Sequence, residues 1–222
     1  MINFKNEQEM FDTMREKLYS AVICDVLDSL SAREQAMRAD ICPVYPEAVV
    51  VGRAYTALSV DVFEVGDDPY RGFIEAADSL KANDVLVMGT NRSTRTCAWG
   101  ELMSTAARAR GARGVILDGY TRDVTQITAM KFPVFVTGTK PVDSAGRSIL
   151  TNHGCPVGCG DVIVHPGDIV FGDIDGVVVV PKELEEEAIS LALEKAEKEN
   201  LVRDELLKGT MVRDAYAKYK VL

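Results

Sequence analysis

The chain has 222 residues, with 25 Lys and Arg against 34 Asp and Glu, for a formal net charge of −9. Hydrophobic residues make up 47% and charged residues 27%, globular values that exclude extended disorder. The acidic balance excludes a general nucleic-acid binder, no stretch approaches the roughly 18 apolar residues of a membrane span, and a single domain over residues 1–222 is expected.

The opening MINFKNEQEM lacks a basic start followed by an apolar run, so no secretory signal is expected. The five cysteines, Cys24, Cys42, Cys97, Cys155 and Cys159, are odd in number and irregular in spacing, which suggests no disulfide framework and a cytoplasmic location. Along residues 6–31, Met10, Met14, Leu18, Val22, Val26 and Leu30 recur every four positions and predict one helix. A Pro-punctuated loop, Cys42–Pro46, leads into one or two strands between Ala48 and Phe63, and then a short helix around Tyr70–Leu80.

The centre alternates. Asp84–Gly89 reads as a strand, 90–99 as a polar loop, and Gly100–Arg110 as a helix ended by Gly111. Gly114–Asp118 reads as a strand, 118–121 as a polar turn, Thr121–Met130 as a helix, and Pro133–Thr137 as a strand. This is a β-α-β-α-β unit, whose crossovers make the strands parallel. Short strands follow at Asp161–His165, Ile169–Phe171 and Gly176–Pro181, with Asp173–Gly176 as a tight turn. Lys182–Leu207 is a long charged helix, read as a packing and interface element, with a short helix after Gly209.

Loops that follow parallel strands leave from the carboxyl edge of the sheet, where ligands of open α/β sheets collect. Three features meet there. First-turn amides of Glu101, Leu102 and Met103 can bind an anion, and Gly100 allows close approach to the backbone. Arg122 offers a planar fork for a carboxylate or oxyanion. Glu101 and Asp123 supply carboxylates, and Asp123 can hold a hard divalent cation. Together these suit stabilisation of an enolate formed beside a carboxylate, that is, chemistry on a 2-oxo acid. On spacing alone, Asp123 as a helix N-terminal charge and Arg122 as a surface ion pair with Glu101 remain open. His153, Cys155, Cys159 and His165 cluster in sequence, but Pro156, Gly158 and Gly160 point to turns and small buried thiols. Neither GxGxxG nor GxxxxGK[ST] occurs, so nucleotide binding has no motif support.

Glu101, then twenty residues, then Arg122-Asp123 resembles the D/E-x20-R-D signature of class II pyruvate aldolases. These are the 4-hydroxy-4-methyl-2-oxoglutarate aldolases, of the same RraA-like superfamily as the regulator of ribonuclease E activity. AVICDVLDSL at 21–30, GVILDGYTRD at 114–123, PVDSAGR at 141–147 and HPGDIVFGDIDGVVVVP at 165–181 extend the likeness over most of the chain. The resemblance implies a three-layer swivelling β/β/α fold assembled as a homotrimer or a pair of trimers. It implies a divalent metal, Mg2+ or Mn2+, on Asp123, and a pyruvyl group held by Arg122 and by backbone across Gly100–Met103. It implies that Glu101 activates the water that protonates the enolate, and that Glu199 approaches the metal through water from a neighbouring subunit. The activity implied is cleavage of a 4-hydroxy-2-oxo acid to pyruvate, with oxaloacetate decarboxylation as a side activity. The chain departs from the pattern by carrying Glu101 where Asp is usual, and by placing Trp99 beside the site. The alternative implied by the same superfamily is a non-catalytic regulatory protein that acts by contact.

Overall fold

A computed structural model describes residues 4–221. The single helix expected over 6–31 is two, α1 (Glu7–Lys17) and α2 (Ser20–Ser29), separated by extended backbone at Leu18 and Tyr19. A four-residue apolar repeat drifts around a helix of 3.6 residues per turn, so one straight rod cannot keep all six positions against the core. Polar contacts fix the break. The Asn6 side chain caps α1 by accepting the Glu9 N–H at 2.9 Å. At the start of α2, the Ser20 N–H and hydroxyl donate to the two carboxylate oxygens of Asp173 at 2.8 and 2.6 Å.

There follow β1 (Cys42–Pro43), β2 (Val50–Asp61), α3 (Arg71–Ser79), β3 (Asp84–Gly89), β4 (Cys97–Trp99), α4 (Glu101–Ala109), β5 (Gly114–Thr121), α5 (Val124–Met130) and β6 (Val134–Thr139). Strands β2, β3, β5 and β6 are consecutive neighbours and all parallel, which bears out the central unit and extends it by β2 and α3. The polar loop expected over 90–99 ends in a strand, because β4 pairs with the end of β5. The turn expected at 118–121 is instead part of β5, with a shift of register between Leu117 and Tyr120. Asp118 is buried there. Its carboxylate accepts the Thr90 N–H at 2.6 Å and its carbonyl the Thr90 hydroxyl at 2.9 Å.

Three more strands went unpredicted: β1, in the segment expected as a Pro-punctuated loop, which pairs with β6; β7 (Ser148–His153), which pairs with β2; and β8 (Val157–Cys159), which forms a hairpin with β9 (Val162–Val164). The hairpin β10 (Ile169–Asp173) and β11 (Gly176–Val180) joins the other part of β2 antiparallel. After one 3-10 turn at Lys182–Leu184 come α6 (Glu185–Leu207) and α7 (Val212–Tyr219). Among the described residues, no helix is long and apolar enough to cross a membrane.

Strand alternation builds the layers. Val85, Val87, Ile116, Phe135, Val170 and Val179 point into one cluster, which the β8–β9 hairpin covers with Val157, Val162 and Val164. Leu86, Met88, Val115, Leu117, Val134 and Val136 point the other way, among Phe73, Ala107 and Ile127 of α3, α4 and α5. Ile169, Phe171, Val178 and Val180 turn the same outer face to α1, α2 and α6. The sheet curls around the first cluster into a nearly closed, barrel-like form with helices outside, a β/β/α layering. Each large side chain buried this way contributes about 1.5–3 kcal/mol.

Arg53 of β2 ties three outer segments together. Its guanidinium donates to both Glu185 carboxylate oxygens at 2.5 and 2.7 Å, to Glu7 at 2.7 Å, and to the Gly167 carbonyl at 3.0 Å. With Arg53 and Glu185 only 19% and 21% exposed, removal of the cation leaves carboxylates poorly compensated. Arg53→Met is expected to lower the unfolding free energy by about 1–3 kcal/mol. Urea titrations of both proteins check this, and an unchanged midpoint would refute it.

Candidate active site

β4 and β5 end side by side. The Thr121 hydroxyl and the Arg122 N–H both donate to the Trp99 carbonyl, at 3.1 and 3.2 Å. This brings the start of α4 next to Arg122 and Asp123. Trp99 is buried, and its indole N–H donates to Ser104 at 2.8 Å, which fixes the first turn of α4 from below.

Asp123 adopts the left-handed conformation, φ 60° and ψ 34°. Asn and Asp tolerate this region better than most non-glycine residues, at a cost on the order of 1 kcal/mol. The conformation turns the carboxylate away from α5, which it does not cap, and across to α4. Asp123 Oδ2 accepts the Glu101 N–H at 3.1 Å. The reading of Asp123 as a charge at the start of its own helix is thereby replaced: the carboxylate sits at the N-terminus of the neighbouring one, where the dipole favours it.

The expectation that all three first-turn amides await a ligand also needs correction, since the Glu101 amide is taken. Leu102 and Met103 remain in the first turn, where an α-helix provides no intrahelical acceptor. Gly100 has the same cause. A Cβ there would lie 2.7 Å from Asp123 Oδ2 and 3.3 Å from Arg122 Cγ. What approaches this backbone closely is the protein's own carboxylate.

Arg122 does not pair with Glu101. Its Nη1 lies 3.0 Å from Asp143 Oδ1, while its Nε is 3.7 Å from Asp123 Oδ2. The Glu101 carboxylate instead accepts the Thr105 hydroxyl at 2.8 Å, one turn along α4. Asp143 also accepts the Tyr70 hydroxyl and, at 3.2 Å, the Ala145 N–H. Burial pushes the Asp143 carboxyl upward, but the bonds from Tyr70, Ala145 and Ser144 and the nearby Arg122 outweigh it and hold the group below its ordinary value. Tyr70 and Asp143 are site residues that sequence reasoning missed. Asp143 lies in the PVDSAGR segment at 141–147, and that was the available signal.

Gly100, Glu101, Leu102, Met103, Arg122 and Asp123 all line one cleft of about 370 Å³, together with Phe73 and Ile74 of α3. Arg122 and Asp123 also line a second cleft of about 270 Å³ beside Lys140. Glu199 is not brought to either. It lies on the inward face of α6, 17% exposed and 3.9 Å from Lys195. Burial pushes its carboxyl above the ordinary value. His153 bonds Tyr55 at 2.6 Å and Cys159 is fully buried, and among the described residues that sequence cluster forms no group of three that could hold a metal. Burial raises the Cys97 thiol, which donates to the Lys140 carbonyl.

Asp143 gives a pH signature. Its folded value lies below the ordinary 3.8, so its stabilising effect is present above that pH and fades as the pH falls through and below it. Wild type is expected to exceed Asp143→Asn in stability near neutrality, with the gap closing in acid. Urea midpoints from pH 7 downward test this, and a gap that widens in acid would contradict it.

Residues 20–179 match the RraA-like family, Aldolase/RraA. A protein of Methanocaldococcus jannaschii is 45% identical over 120 residues, 54% of this chain and 57% of that one, so the chain spans little more than half the length of that relative. A protein of Halalkalibacterium halodurans, provisionally named 4-hydroxy-4-methyl-2-oxoglutarate aldolase, is 29% identical over 185 residues, 83% of each chain. In fold, the crystal structure of Streptomyces coelicolor RraAS2, an unusual member of the RNase ES inhibitor RraA family, superposes with a TM-score of 0.78 at 24% identity, covering 91% of this chain and 99% of that one. The chain belongs to the Aldolase/RraA family.

Proposed function

We propose that the chain is a divalent-metal-dependent aldolase that cleaves a 4-hydroxy-2-oxo acid and releases pyruvate, with oxaloacetate decarboxylation as a side activity. The observation that carries the reading is the placement of Arg122 and Asp123 against the first turn of α4, in one cleft with Glu101. The provisional aldolase names of relatives such as that of H. halodurans support the same class.

The residues fit a hard ion. Asp123 commits one oxygen to the Glu101 amide at 3.1 Å and keeps the other. Among the described residues, no group of three or more His, Cys, Asp or Glu side chains could hold a metal. One carboxylate suits an ion that retains most of its waters, Mg2+ or Mn2+, and not a closed thiolate or imidazole cage. Bound there, the ion supplies Lewis-acid polarisation of the 2-oxo group.

The chain's own residues do the rest. The Leu102 and Met103 amides meet the substrate carboxylate at the positive end of α4. Arg122 places its guanidinium against the oxygen that gains charge as C3–C4 breaks. Glu101, oriented by Thr105 at 2.8 Å, holds the water that gives C3 its proton. The added methylene of Glu is accommodated because Thr105 anchors the carboxylate one turn along the helix. The same reading carries a homotrimer or pair of trimers, with α6 at the contact between subunits.

Pyruvate release from 4-hydroxy-4-methyl-2-oxoglutarate and oxaloacetate, with Mg2+ or with a chelator, tests this. Release that requires the metal is expected, and none from any 4-hydroxy-2-oxo acid would favour the regulatory, non-catalytic alternative. Arg122→Ala is expected to lower kcat/KM by about 10²–10³-fold. Asp123→Ala should abolish Mn2+ binding in calorimetry, and Gly100→Ala, which displaces the same carboxylate, should weaken it by about tenfold or more. Wild-type behaviour of these variants would refute the site.

A further inference from the structure

The cleft beyond Arg122 has a character of its own. Its walls are Phe73 and Ile74 of α3, Trp99 of β4, Met103 of α4, and Tyr70 just before α3. The side-chain polar atoms of Tyr70, Trp99 and Cys97 are already engaged. The Tyr70 hydroxyl donates to Asp143, the Trp99 indole N–H to Ser104, and the Cys97 thiol to the Lys140 carbonyl. Among the residues lining this cleft, Arg122 is the one cation, against the carboxylates of Glu101, Asp123 and Asp143. The guanidinium is itself 3.0 Å from Asp143. Of the cations nearby, Lys140 lines the second cleft and donates its ammonium to the Thr94 carbonyl at 2.8 Å, and Arg147 donates to the Asp143 carbonyl at 3.1 Å.

A substrate that places its 2-oxo acid end on Arg122 and the start of α4 extends its other end along this wall. A second carboxylate there would lose water against the apolar side chains of Phe73, Ile74, Trp99 and Met103, with the Ser144 hydroxyl as the one further side-chain donor and the unpaired Glu101 carboxylate in the same cleft. An uncharged alkyl or aryl group would lose only apolar hydration and gain contact. We infer that the preferred substrate is a 4-hydroxy-2-oxo acid whose C4 substituent is neutral and apolar, not a dicarboxylate, with Phe73, Ile74, Trp99 and Met103 as the residues that set this choice. The inference rests on the proposed aldolase reading and narrows its substrate class.

The step is balanced without a further reactant. The C3–C4 bond breaks and its electron pair passes to C3 as the enolate of pyruvate. The C4 hydroxyl loses its proton and becomes the carbonyl of a neutral aldehyde, and C3 takes up a proton. A cleft of about 370 Å³ accommodates a pyruvyl unit and a single aromatic ring.

Two measurements on the full chain with Mg2+ test the inference. The first compares kcat/KM for 4-hydroxy-2-oxo-4-phenylbutanoate and for 4-hydroxy-4-methyl-2-oxoglutarate, with a preference of about tenfold or more for the phenyl compound expected. The second compares calorimetric binding of 2-oxo-4-phenylbutanoate and 2-oxoglutarate, which lack the 4-hydroxyl and so report recognition without cleavage. The aryl acid is expected to bind more tightly by a similar factor. Ile74→Arg, at a position 50% exposed and so tolerant of a long side chain, should shift both ratios toward the dicarboxylate by about tenfold. Pyruvate release with the dicarboxylate preferred, or equal binding of the two acids, would overturn the inference and leave the aldolase reading standing. Neither binding nor release with any of these compounds would overturn both.

Discussion

One hydrogen bond organises the candidate site, that from the Glu101 amide to the Asp123 carboxylate at 3.1 Å. It spans two strand ends that the chain has brought together, and it accounts for otherwise separate features. Asp123 adopts left-handed backbone because only then does its side chain point across to α4. Position 100 is glycine because a Cβ would meet that carboxylate at 2.7 Å. The pairing of β4 with the end of β5 keeps donor and acceptor in register.

Much of this was legible in the sequence. Parallel strands such as DVLVMG show as continuous apolar runs because both faces are buried, and β3 and β6 were read within a residue or two. Glu101, Arg122 and Asp123 were singled out by their place after the parallel strands and by the family resemblance, and the structure brings them to one cleft. What escaped depends on contacts between distant segments. β4 is three residues long, too short to show any period, and exists through its partner β5. The division of the first helix is set by Asp173, 153 positions from Ser20. Tyr70 and Asp143 join the site through a hydrogen bond across 73 positions, which no local pattern encodes.

The electrostatics of the cleft run against those of an anion-binding surface. The chain is acidic overall, at −9, and the cleft itself holds three carboxylates to one guanidinium. On the proposed reading, attraction for a 2-oxo acid would be short-ranged, built from one fork, helix amides and a cation, and not from a field that gathers anions at a distance. Such a site discriminates by local fit.

The Ser20–Asp173 contact has a consequence for how the chain is made. The groups that anchor the start of α2 belong to the β10–β11 turn, 153 residues downstream. A nascent chain emerging from the ribosome presents the apolar faces of α1 and α2 long before Ile169, Phe171, Val178 and Val180 exist to receive them. The packing of α1 and α2 is thus completed only when strands made much later are in place. The contact that completes this layer joins segments 153 positions apart.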